Sequence, residues 1–82
     1  MTSWDSLILG ILDKHEDAIA YYDKALAIDP NDDTSLNNKG CALYHLGKHL
    51  EAIMCYDKAL KIDPDNAETL NNKGISLHVL GN

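Results

Sequence analysis

Apolar residues recur along this chain at intervals of three and four, the spacing that lines one face of an α-helix. Trp4, Leu7, Ile8, Ile11 and Leu12 form the first such stripe, with Thr2 or Ser3 placed to cap it and Asp5 in its first turn. Asp13 and Lys14 then read as a turn, because aspartate tolerates the left-handed conformation better than most residues. A second helix is predicted from about His15 to Ile28, with Ala18, Tyr22, Ala25 and Leu26 inward and Asp17, Asp23 and Lys24 outward. Asp29-Pro30 ends it, since proline cannot continue the hydrogen-bond ladder and disfavours a helical residue before it. Asn31, Asp32 and Asp33 offer caps for a third helix, about Asp33 to Leu46, and Gly47 suits its left-handed C-terminal cap. A fourth helix, about His49 to Ile62, places Ala52, Tyr56, Ala59 and Leu60 inward and stops at Asp63-Pro64. The fifth runs from Ala67 to Leu80 and stops at Gly81-Asn82.

These stripes are copies of one another. Asp23-Lys24-Ala25-Leu26-Ala27-Ile28-Asp29-Pro30 returns 34 residues later as Asp57-Lys58-Ala59-Leu60-Lys61-Ile62-Asp63-Pro64, with seven of eight positions identical. Leu36-Asn37-Asn38-Lys39-Gly40 returns unchanged as Leu70-Asn71-Asn72-Lys73-Gly74. A fixed period without a low-complexity tract describes an array of like supersecondary units. Residues 33–66 read as one complete unit, 1–32 as a divergent or partial first unit, and 67–82 as a half unit holding only a first helix. Short turns make neighbouring helices antiparallel, an all-α fold of helix-turn-helix pairs. Gly40, Gly74, Ala18, Ala25, Ala52 and Ala59 keep the packed faces small, so a large residue at Gly40 is expected to overpack its hairpin.

At this point the sequence resembles the tetratricopeptide repeat, a helix-turn-helix unit whose signature sets an aromatic, leucine, glycine and tyrosine before Ala-x3-Phe, alanine and proline. Leu36, Gly40, Leu43, Ala52, Tyr56, Ala59 and Pro64 carry the match in one copy; Ala18, Tyr22, Ala25 and Pro30, then Leu70, Gly74 and Leu77, carry it in the flanking copies. Departures fall in the first half of the signature, where leucine replaces the aromatic, Lys39 and Lys73 replace leucine, and Leu43 and Leu77 replace tyrosine. The resemblance implies a short right-handed solenoid that binds a peptide or partner helix in a concave groove. Carried over by position, the groove would comprise Thr34, Asn37, Asn38, Cys41, Tyr44 and His45, then Glu68, Asn71, Asn72, Ile75 and His78. Paired asparagines suit an extended peptide, whose backbone their amides can both donate to and accept from; the alternative is that they are ordinary solvated helix residues.

Charge narrows the partner. Seven lysines, no arginine and 13 acidic residues give a net charge of −6, which repels nucleic acid and anionic membranes and favours a neutral or basic segment. Family members that hold a carboxylate-ended tail use a basic clamp, for which Lys39 and Lys73 are out of position. The apolar run from Leu7 to Leu12 is too short for a membrane span and lacks a signal peptide's basic flank, so a cytoplasmic protein is expected.

Little in the chain points to chemistry. His45 and His49 have a metal-like spacing, but Gly47 places a turn between them, and Cys41 with His45 makes only two ligands. Cys41 and Cys55 lack the density of a disulfide framework and are expected to be reduced and structural. Without an activated nucleophile or a phosphate-cradling loop, the expectation is a non-enzymatic scaffold with no cofactor and no metal.

The fifth helix carries a second expectation. Leu70, Ile75, Leu77, Val79 and Leu80 would have only the fourth helix to cover them. Ordering ~14 residues costs about 14–28 kcal/mol of backbone entropy, while each fully buried apolar side chain returns about 1.5–3 kcal/mol. Either further chain beyond Asn82 or another molecule is then expected as cover, the latter through a homodimer or higher oligomer formed by residues 67–82 or by their exchange.

Overall fold

A computed structural model describes residues 3–81, with side chains from residue 14 onward. Four helices follow in order: α1 (Ser3–Ile28), α2 (Asp33–His45), α3 (His49–Ile62) and α4 (Ala67–Gly81). The expected turn at Asp13-Lys14 does not form, so the first two expected helices are one. Asp13 occupies the position of Gly47, yet only Gly47 takes a positive φ, +81°. A residue that tolerates the left-handed region does not impose it, and aspartate and lysine both continue a helix at modest cost. The side chains of the stripe from Trp4 to Leu12, and Thr2 as a cap, lie outside what is described.

The remaining boundaries follow from local hydrogen bonds that repeat with the sequence. After α1 the Asp29 amide donates to Ala25 O at 2.9 Å, and after α3 the Asp63 amide donates to Ala59 O at 2.9 Å. The carboxylates of Asp29 and Asp63 then accept from the amides of Asn31 and Asp65 at 3.1 and 3.3 Å, closing two like turns around Pro30 and Pro64. Asp32 caps α2 by accepting from the Ser35 amide at 3.1 Å, and Asn66 caps α4 by accepting from the Thr69 amide at 3.2 Å. Leu46, Gly47 and Lys48 close the end of α2, with Lys48 N donating to Leu43 O at 2.9 Å.

Packing runs α1 on α2, α2 on α3, α3 on α4, with α2 also meeting α4. The core centres on Leu43, Ala52, Cys55 and Tyr56, with Ile19, Cys41 and Tyr44 against it. Gly40 permits the closest approach: a Cβ built there would lie 2.8 and 2.9 Å from Cδ1 and Cζ of Tyr56, with Cε1 closer still. The glycine therefore admits the tyrosine ring, and α2 and α3 close into a tight antiparallel hairpin. Gly74, the same residue in α4, has nothing within 4 Å.

Two ion pairs repeat this register. Lys39 on α2 meets Asp23 on α1 at 2.6 Å, and Lys73 on α4 meets Asp57 on α3 at 2.6 Å. All four side chains are partly exposed, so each bridge contributes no more than about 1 kcal/mol. Their value is positional, since each ties a helix to the one before it.

Candidate functional site

The groove candidates lie on α2 and α4, and the two helices are joined by a polar seam. Asn37, only 5% exposed, accepts at Oδ1 from Thr69 Oγ1 and Asn72 Nδ2, each at 3.2 Å, and donates from Nδ2 to Glu68 at 3.3 Å. Its amide is consumed between the helices, so Asn37 is not an open groove residue. Thr69 is fully buried beside it. This satisfaction is what lets an asparagine occupy an interface, where an unpaired amide would cost about 1–3 kcal/mol.

Beyond the seam, five of the candidates converge. Cys41, Tyr44, His45, Asn72 and Ile75 line a recess of about 200 Å³, together with Tyr56 from α3. Asn72 donates its second contact to Cys41 Sγ at 3.4 Å, which fixes the amide at the rim. His45 stacks on His15 of α1 with ring centroids 5.1 Å apart, and Tyr44 meets His49 edge-on at 5.1 Å. These contacts hold the ring-bearing side of the recess in place. Thr34, Asn71 and His78 are exposed on the same two helices without lining it, and Asn38 is half-buried.

Two ionisable groups here are shifted by burial. Burial pushes the Cys55 thiol above its ordinary range, which keeps it protonated at neutral pH. Burial, reinforced by the adjacent Cys41 thiol, likewise raises the Tyr56 phenol. Both cysteines are free thiols. Among the described residues no group of three histidine, cysteine or acidic side chains is placed to hold a metal ion, and no described helix is long and apolar enough to cross a membrane.

Some of this was beyond sequence reasoning. Thr69 and Ser76 are fully buried, as polar residues on a helix seldom are, and the stacking of His15 on His45 has no counterpart in the repeat pattern. The ion pairs did leave a signal: a lysine stands 16 residues after an aspartate in both copies, at 23 and 39 and again at 57 and 73.

Three family models match the chain. One described as tetratricopeptide repeat matches residues 34–66, one described as TPR repeat matches 11–47, and a further tetratricopeptide repeat model matches 55–82. The chain is a tetratricopeptide repeat protein. A search of curated proteins found no match. Tetratricopeptide repeats generally mediate protein–protein interactions and are typically non-enzymatic scaffolds. The all-helical architecture, four helices among the described residues, agrees with that family.

Proposed function

We propose that this tetratricopeptide repeat chain is a scaffold that takes an extended peptide or a partner helix on the α2–α4 surface. The recess carries this reading: a floor formed by the buried Tyr56 ring, an apolar side in Ile75, and a fixed amide, Asn72, beside them. An apolar anchor side chain fits such a floor, while exposed Asn71 and half-buried Asn38 remain to meet a peptide backbone. The net charge of −6 favours a neutral or basic segment. Titrating the isotope-labelled chain with short peptides carrying one central leucine, in basic, neutral and acidic versions, tests it by NMR. Shift changes should centre on Cys41, Tyr44, Asn72 and Ile75 and be weakest for the acidic peptide. Changing Tyr44 and Asn71 together to alanine should weaken the basic peptide by about tenfold, or ~1.4 kcal/mol. Shifts scattered away from the recess would rule the surface out.

A second reading rests on α4. Leu70, Ile75, Leu77, Val79 and Leu80 are all substantially exposed along one helix, so we also propose that the chain self-associates through it. Leu77→Glu should then lower the mass in solution.

A further inference from the structure

The exposed apolar stripe on α4 repeats, at the 34-residue offset, a stripe that is covered elsewhere in this chain. In the α2–α3 hairpin the stripe Leu36, Gly40, Leu43 receives Ala52, Tyr56 and Ala59, and all six are buried. On α4 the stripe recurs as Leu70, Gly74 and Leu77, with both leucines exposed and open space at the glycine. On α1 the partner stripe recurs as Ala18, Tyr22 and Ala25, and each is less covered than its counterpart on α3. Beside it Tyr21 is 69% exposed, whereas Cys55 at the same register is 8% exposed.

The continuous α1 explains the second vacancy. Residues 3–12 continue the helix and do not fold back on residues 15–28, and among the described residues α1 packs on α2 alone. A receiving stripe therefore lies open at one end of the molecule and an inserting stripe at the other. They cannot meet within one copy, because α2 and α3 stand between them.

Resting on the self-association reading, we infer that α4 of one copy receives α1 of a second copy in the register of the α2–α3 hairpin, with Tyr22 seated over Gly74. The occupant is fixed by the residues themselves: three of three inserting residues on α1 are those that α3 presents to α2, and the receiving leucines and glycine are unchanged. Charge agrees with the register. Lys39 is held protonated above its ordinary range first by its hydrogen bond to Asp23, and Glu51 on α3 adds to this. Asp17 stands on α1 where Glu51 stands on α3, and would bring the same sign to Lys73. If two copies give and receive reciprocally, the contact occurs twice in a two-fold pair; if each copy gives to one neighbour and receives from another, it propagates head to tail.

Light scattering on the whole chain, with two variants, tests the contact. At ~100 μM, the range of a weak interface, the unaltered chain should show at least twice the monomer mass. Gly74→Gln fills the notch at a position with nothing within 4 Å, so the monomer keeps its helical circular dichroism, yet association should be lost. Tyr21→Glu, at an exposed position, should abolish association from the other side. Mixed in equal amounts, the two monomeric variants retain one sound α4 and one sound α1 between them, and should form a pair that stops at two. A Tyr21→Glu chain that associates as before, or a mixture that stays monomeric, would overturn the α1 contact while leaving self-association through α4 standing. A monomeric unaltered chain at that concentration would overturn both.

Discussion

The helices α2 and α4 share the segment Leu-Asn-Asn-Lys-Gly and end up in different surroundings. Leu36 is 6% exposed and Leu70 is 49%; Leu43 is 4% exposed and Leu77 is 50%. Asn37 is buried with three hydrogen bonds, while Asn71 faces solvent. Gly40 meets a tyrosine ring and Gly74 meets nothing. Identical letters thus hold two different roles, set by what lies against them: α3 with its Tyr56 ring for the leucine–glycine stripe, and α4 with Thr69 and Asn72 for the asparagine. In a repeat protein the unit of stability is the interface between neighbours, and a sequence motif contributes only as much as its neighbour allows.

The largest expected contrast comes from truncating the same leucine in each helix. Leu43→Ala removes a side chain from the centre of the core and should cost about 2–5 kcal/mol in denaturant unfolding. Leu77→Ala, at a half-exposed position, should cost under ~1 kcal/mol when measured at a dilution where the chain is monomeric. Equal losses would mean that α4 is covered as fully as α2, and the comparison would fail.

Glycine gives a smaller effect but a change of sign. Gly40→Ala would set a methyl under 3.0 Å from a nearly fully buried ring, which would have to shift, and overpacking of this kind costs about 1–3 kcal/mol. Gly74→Ala meets no atom and should gain roughly 0.5–1 kcal/mol, because alanine loses less backbone entropy in a helix than glycine does. Thermal melts of the two variants should therefore move in opposite directions. A loss at both sites would show that Gly74 is already pressed against a neighbour.

How much of this was legible follows the same division. Boundaries set by one residue's own chemistry could be read: the Asp-Pro stops, the cap before Ser35 and the left-handed Gly47 all stand where the sequence put them. The Asp13-Lys14 turn could not, because it rested on tolerance at a position where nothing forbids a helix. Nor could the sequence distinguish Asn37 from Asn71. Their immediate neighbours in the chain are alike, and what differs is Thr69 and Asn72 arriving across the seam. The recess was half visible, since its α2 and α4 residues follow from position, whereas the Tyr56 floor depends on how deeply Gly40 lets the ring enter.

The N-caps sharpen the comparison at the smallest scale, because α2 begins with an acid and α4 with its amide. Asp32 accepts from both the hydroxyl and the amide of Ser35, at 2.8 and 3.1 Å, and those bonds, the hydroxyl's first, hold its carboxyl below the usual carboxylate range. A lowered folded-state value means the cap stabilises the fold above the unfolded value, and that the gain is lost as pH falls through the folded one, below ~4. Asn66 offers Thr69 an amide oxygen that does not titrate in this window. Acidification should therefore loosen the start of α2 before the start of α4, although α2 is the better buried helix. Amide hydrogen exchange at Ser35 and Thr69 reads this directly: between about pH 5 and pH 3, protection at Ser35 should fall relative to Thr69 once intrinsic rates are divided out. Asp32→Asn should make the two sites respond alike. If Ser35 still loses protection in that variant, the acid sensitivity of α2 comes from elsewhere along the helix, and the cap is not what separates the two ends.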